Sequence, residues 1–146
     1  MARPRLVGIN HVALEVGDID QALDFYGRIF EFTLRGRGRR MAFIDMGDQF
    51  LALSAVAEPT RDDDRHFGLV VDDLEATRRA LRDAGAEVLP GRGLDFIDPW
   101  GNHVQVVQYD EVQFTKAEPV MRGMGLDLEK GDAARAELRA KGLDGP

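Results

Sequence analysis

The chain of 146 residues contains no cysteine. That excludes disulfides, thiolate zinc sites, iron–sulfur clusters and cysteine nucleophiles. Lysine is nearly absent: 16 of the 19 basic residues are arginine, which we read as compositional bias. No stretch approaches the 18 or so consecutive apolar residues of a membrane span. The opening run, Met1 to Leu14, lacks the apolar core of a signal peptide because Asn10 and His11 interrupt it. A cytoplasmic protein without membrane contact is the resulting expectation. Positive charge is also short, with 26 acidic side chains giving a net charge of −7. A nucleic-acid partner needs clustered cations to displace counterions, so none is expected. The one basic run, Arg35 to Arg40, alternates with glycine and reads as a solvated hairpin loop.

What is present is a repeat. The stretch His11-Val12-Ala13-Leu14-Glu15-Val16-Gly17-Asp18 recurs as His66-Phe67-Gly68-Leu69-Val70-Val71-Asp72-Asp73, with His, Leu, Val and Asp in matching places. Phe43-Ile44-Asp45 and Phe96-Ile97-Asp98 each precede a glycine turn and an apolar run. Two halves of roughly 50 residues with one order of elements indicate duplication. Each half reads as strand, helix, then three strands. In the first, alternation from Val7 to Val16 predicts a strand. Asp18, with Gln21 three residues on, predicts a helix start followed by apolar residues at helical spacing. Further strands are expected near 32–36, 39–45 and 48–55. In the second half we expect a strand at 66–71, a helix capped by Asp73 and stopped by Gly85, and strands near 86–90, 92–98 and 102–109. The predicted divisions are a first module over 1–56, a polar linker over 57–65, a second module over 66–110, and an extension over 111–146. The extension carries a helix near 132–142. The acidic run Asp62 to Asp64 reads as solvated linker.

These features resemble the vicinal oxygen chelate superfamily, which holds glyoxalase I, bleomycin-resistance proteins, fosfomycin-resistance enzymes and extradiol dioxygenases. The resemblance rests on the histidine-opened first strand of each half. It rests also on Asp24-Phe25-Tyr26 through Phe30-Glu31-Phe32, and above all on Asp98-Pro99-Trp100-Gly101-Asn102-His103-Val104-Gln105. It spans residues 6 to about 109. It implies an α+β fold of two tandem βαβββ modules forming a curved, partly closed mixed sheet around a cavity, with the helical arm appended.

The resemblance also implies metal ligands on the first and last strands of each module. Carried over, these are His11, His66 and Gln105, the last standing where the family has Glu. The fourth position is Ala52, or Leu51 in the neighbouring register, and neither ligates. A divalent ion (Fe, Mn, Co, Ni or Zn) is the implied cofactor, since imidazole and amide oxygen suit such ions. With both family carboxylates missing, glyoxalase-type isomerisation lacks its proton shuttle. Dioxygenase-like or thiol- or water-adding chemistry on a small molecule with adjacent oxygens fits better. Strand alternation puts His103 beside Gln105 and Glu15 on the face of His11. Both are candidate catalytic groups, and Trp100 is a candidate substrate contact at the cavity rim. The resemblance implies a homodimer. Two other readings stay open: a metal-free sequestering protein like the bleomycin-resistance branch, and an accessory subunit docked through its arm.

Overall fold

The computed structural model describes Arg3 and residues 9–145. Each half is βαβββ: β1 His11–Val16, α1 Ile19–Ile29, β2 Leu34–Arg37, β3 Met41–Asp45 and β4 Phe50–Ala55, then β5 Phe67–Val71, α2 Leu74–Asp83, β6 Glu87–Leu89, β7 Leu94–Ile97 and β8 His103–Gln108. The part of the first predicted strand at 7–8 lies outside the described residues. Both helices start at the expected aspartate. Asp18 accepts from the Gln21 amide at 2.9 Å and Asp73 from the Ala76 amide at 2.9 Å, satisfying donors that a helix start leaves free. Beyond β8 come a single 3-10 turn at Tyr109–Glu111, α3 Glu118–Gly123 and α4 Asp132–Ala140. Neither the turn nor α3 is apparent from apolar spacing, because both are shorter than two full periods.

The strands form two four-stranded sheets, ordered β1-β4-β3-β2 and β5-β8-β7-β6. In each the outer pair, β1–β4 and β5–β8, is parallel and the others antiparallel. The expectation of one curved, partly closed sheet around a cavity is corrected here: the two sheets stay separate and no barrel closes. The reason is visible in the core. Leu14, Val16, Ala42, Ile44, Leu51 and Leu53 of the first sheet and Leu94, Phe96, Val104 and Val106 of the second are buried in one cluster. The same cluster takes in Phe25 and Tyr26 of α1 and Leu81 of α2. Apolar burial is the dominant favourable term, so both sheets turn the same kind of face inward, onto the helices. Their other faces, one carrying His11 and the other Gln105, therefore point away from this shared core.

The turn 98–102 fastens the halves together. Asp98, 3% exposed, accepts the Tyr26 hydroxyl at 2.7 Å, the Trp100 and Asn102 amides at 2.9 Å each, and the Asn102 side-chain amide at 2.8 Å. Asn102 also donates to the Glu15 carbonyl at 2.7 Å. Gly101, at φ 96°, is the residue the turn needs, since a Cβ there would stand 2.5 Å from the Arg61 backbone. Burial, then the charge and hydrogen bond of Asp98, push the Tyr26 hydroxyl pKa well above its ordinary 10.0. The sign follows from linkage: the folded value is raised, so the contribution is complete below pH 10 and is lost as pH climbs toward the folded value. Stability should fall by up to ~1.4 kcal/mol per pH unit above about pH 10. Urea titrations of the wild type and Tyr26→Phe at pH 8 to 11 check this, the variant showing a shallower decline.

All three lysines, Lys116, Lys130 and Lys141, lie in the arm, and two of them fasten it. The Lys116 ammonium donates to the Met46 carbonyl at 2.8 Å and to Asp48. Lys130 donates to the carbonyls of Tyr109 at 2.5 Å, Val112 at 2.8 Å and Phe114, and sits 3.4 Å from the Tyr109 ring centre. A compact ammonium presents three donors to converging carbonyls, which the flat fork of arginine cannot do. Ala134 and Leu138 of α4 are buried. The arm is thus docked on its own chain, with Val120 of α3 and Met124, which caps it, against Gly47. Among the described residues no helix is long and apolar enough to cross a membrane.

Candidate metal centre

His11 opens β1 on the outward face of the first sheet. Its ring stacks on Phe50 at 4.6 Å, Phe43 meets Phe50 edge-on at 5.7 Å, and the Arg35 guanidinium lies 4.4 Å from the Phe50 ring centre. Arg37 pairs with Asp20. The basic run is therefore partly anchored rather than wholly solvated. His11 Nδ1 lies 2.8 Å from the Asn10 side-chain oxygen. An oxygen acceptor at that place suits the tautomer with its proton on Nδ1, the one that offers Nε2 to a ligand. Ala13 pairs with Ala52 on the same face, whereas Leu51 belongs to the shared core cluster. Ala52 is therefore the position equivalent to Gln105, and it offers no donor atom.

His66 repeats the device. Its Nδ1 donates to the Asp64 carbonyl at 2.9 Å, and its Nε2 has no hydrogen-bond partner among the described residues. Its ring lies 5.0 Å from that of His103. On this outward face Gly68 pairs with Gln105 and Gln105 with Asp95. The acidic linker does not float free: the Asp63 and Asp64 carbonyls receive the His103 and His66 rings. This folding of the linker onto β8 buries His103 to 8% exposure, where alternation alone suggests a half-exposed strand residue.

His103 spends both ring nitrogens, Nδ1 on the Asp63 carbonyl at 2.8 Å and Nε2 on Asp95 at 2.7 Å. Burial works against its imidazolium, yet the Asp95 hydrogen bond, the Asp63 carbonyl and the Asp95 charge outweigh it and raise its pKa from 6.5. With both nitrogens donating, it has no lone pair for a metal. Glu15 is not beside His11. It lies four residues along β1, about 13 Å away at the ~3.3 Å strand rise, and accepts from the Thr60 amide at 3.4 Å. Trp100 is on the helix side, meeting Phe25 edge-on at 6.3 Å and filling the space a side chain at Gly17 would need. It borders an open groove of about 590 Å³ that also contains Arg28, Arg61 and Glu87 and none of the histidines. Asp95 is the group that sequence reading overlooked. The only signal was its odd-numbered place on a strand, which acquires meaning once the β7–β8 register is known.

The donor set fits a divalent ion. Two imidazoles present Nε2 with the other nitrogen held by an oxygen, the arrangement that orients metal-bound histidines. One chain does not assemble the set: among the described residues no three His, Asp or Glu side chains are grouped to hold an ion.

The family model of the Glyoxalase/Bleomycin resistance protein/Dioxygenase superfamily matches residues 8–106. The metallothiol transferase FosB of Shouchella clausii (strain KSM-K16) is 30% identical over 114 residues, covering 68% of this chain and 78% of that protein. The glutathione transferase FosA of Serratia marcescens is 26% identical over 113 residues, covering 69% and 80% respectively. Among solved structures, the fosfomycin resistance protein FosX of Listeria monocytogenes, complexed with Mn(II) and sulfate, superposes with a TM-score of 0.62 at 14% identity. That superposition covers 82% of this chain and 99% of that one, and shows the shared fold.

Proposed function

The chain belongs to the glyoxalase/bleomycin resistance protein/dioxygenase superfamily, and from that premise we propose that it is a metal-dependent enzyme acting on a small molecule with adjacent oxygens. His11, His66 and Gln105 are the proposed family-derived contributors to the centre. The observation that carries the reading is the matched pair of imidazoles, each with Nδ1 fixed on an oxygen acceptor and Nε2 left free on an outward face. A divalent ion bound there (Mn, Fe, Co, Ni or Zn) would act as a Lewis acid toward substrate oxygens. Glyoxalase I-type isomerisation is disfavoured because Ala52 and Gln105 replace the proton-shuttling carboxylates. The transferase names of FosB and FosA support transfer of a thiol to that substrate. The stack of Arg35 on Phe50, on the face of His11, supports an anionic group on that substrate. Since the face of His11 and that of His66 and Gln105 point away from the shared core, the proposed active form is a homodimer in which one copy's His11 meets the other's His66.

Elemental analysis of protein purified without chelator or polyhistidine tag tests this. We expect close to one divalent ion per chain in the wild type and under a tenth of that in His66→Ala. Protein that is metal-free and takes up no added divalent ion would overturn the metal reading. It would leave a small-molecule sequestering protein.

A further inference from the structure

The segment that leads into His11 is braced from the far end of the chain. The family model ends at residue 106, so the C-terminal arm lies outside the part that defines the family. We infer that the arm is a clamp on the metal centre, with Lys116 as a positioning residue that seats His11 through the turn 46–49. The inference rests on the metal-centre reading above and deepens it.

The arm grips that turn at three consecutive residues. The Lys116 ammonium donates to the Met46 carbonyl at 2.8 Å and to the Asp48 carboxylate. The Lys116 side chain is 8% exposed, although Asp48 is half exposed. The hydrogen bond from Lys116 holds the Asp48 carboxyl below its ordinary 3.8. Between the two acceptors lies Gly47, at φ 86°. Its missing side chain makes room for the arm: a Cβ there would stand 2.6 Å from the Met124 sulfur and 3.2 Å from Val120. Polar and apolar contacts of the arm thus converge on one short turn.

The turn passes this hold on to His11. The Met46 amide donates to the Gln49 carbonyl at 2.9 Å, which closes the turn. The Gln49 side-chain amide donates to the Ile9 carbonyl at 3.0 Å, and the Phe50 amide to the Asn10 carbonyl at 3.1 Å. Ile9 is 68% exposed, so these bonds rather than burial of its side chain fix the approach to β1. The His11 ring meets the Asn10 side chain at 2.8 Å and stacks on Phe50 at 4.6 Å. Both of those neighbours are tied to the turn. A site residue has to be held within about 0.5 Å of its productive place, so small movements of the turn reach the centre. His66 is oriented differently, by the Asp64 carbonyl and the His103 ring, contacts in which the arm takes no part.

Carbon–proton NMR of the histidine rings in the full chain tests this, each ring assigned by replacing that histidine. Lys116→Met keeps the apolar stem and removes the donors. It should shift the His11 ring signals, which the stack on Phe50 makes sensitive to placement, and leave those of His66 where they are. It should also weaken Co(II) binding, read by titration calorimetry, by about tenfold, the low end of what losing an outer partner of a ligand costs. Met124→Ala trims a side chain that is 38% exposed and should move the same His11 signals by less. Lys130→Met loosens the arm at the carbonyls of residues 109–114, away from the turn, and should leave both histidines in place. His11 signals unmoved in Lys116→Met, or in Met124→Ala should the first variant not fold, would overturn the inference. So would a shift of His66 as large as that of His11, or an equal effect of Lys130→Met, since either marks a general loosening of the fold. Unchanged Co(II) affinity beside shifted His11 signals would also overturn it. Wild type that binds no Co(II) would instead overturn the metal-centre reading, and the ring signals would still decide whether the arm seats His11.

Discussion

Replacing Asp98 by alanine is expected to remove about 4 kcal/mol of folding stability, since each buried donor left without an acceptor costs ~1–3 kcal/mol. Four donors converge on this carboxylate, and the two residues that supply most of them, Tyr26 and Asn102, are 1% and 6% exposed. A carboxylate suits the position because it only accepts, so every incoming N–H and O–H finds a lone pair. Asn keeps one accepting oxygen but turns an amide NH2 toward the remaining donors, and should rescue little. The loss is large against the ~5–15 kcal/mol that holds a typical domain folded. Its effect is also long-range. Tyr26 sits on α1 and Asn102 reaches the Glu15 carbonyl on β1, so the turn joins the second module to the first. Urea denaturation of Asp98→Ala, followed by tryptophan fluorescence from Trp100, measures the change. A loss below about 1 kcal/mol would mean that water replaces the carboxylate and that apolar packing alone joins the halves.

Mixing two inactive variants should restore activity. His11→Ala and His66→Ala each remove one imidazole, and each alone should bind under a tenth of the wild-type metal. If each centre takes His11 from one copy and His66 from another, a dimer of the two variants contains one doubly damaged centre and one intact centre. Random exchange of equal amounts makes about half of the dimers mixed, so about a quarter of all centres recover in a symmetric two-fold assembly. The readout is metal content and thiol-transfer activity after the variants are mixed and exchanged, against each variant alone. No recovery after verified exchange would place His11 and His66 in the same chain. The basis for expecting recovery is which faces are buried. Leu14 and Leu53 on one sheet and Phe96 and Val104 on the other share a single core, which leaves the histidine-bearing faces back to back.

Several parts of this protein are legible residue by residue. The helix starts at Asp18 and Asp73 are local events, a side-chain oxygen meeting an amide three residues on. The strands follow two-residue alternation, and the duplication shows because both halves solve the same local problem with the same residues. The matched histidines and the loss of both family carboxylates are visible in the same way. Other features had to wait for the tertiary structure. The sequence suggests that the two sheets curve into one, but their inward faces bury against α1 and α2, and that choice depends on residues dozens of positions apart. His103 reads as a half-exposed strand residue until the Asp63 carbonyl, 40 positions away, covers it. Asp95 carries no motif, and only the folded chain brings its carboxylate within hydrogen-bond reach of His103. Periodicity and caps act between near neighbours and can be read in order along the chain. Sheet placement, burial of a polar ring and the company a carboxylate keeps are set by packing between distant segments, and only the folded chain decides them.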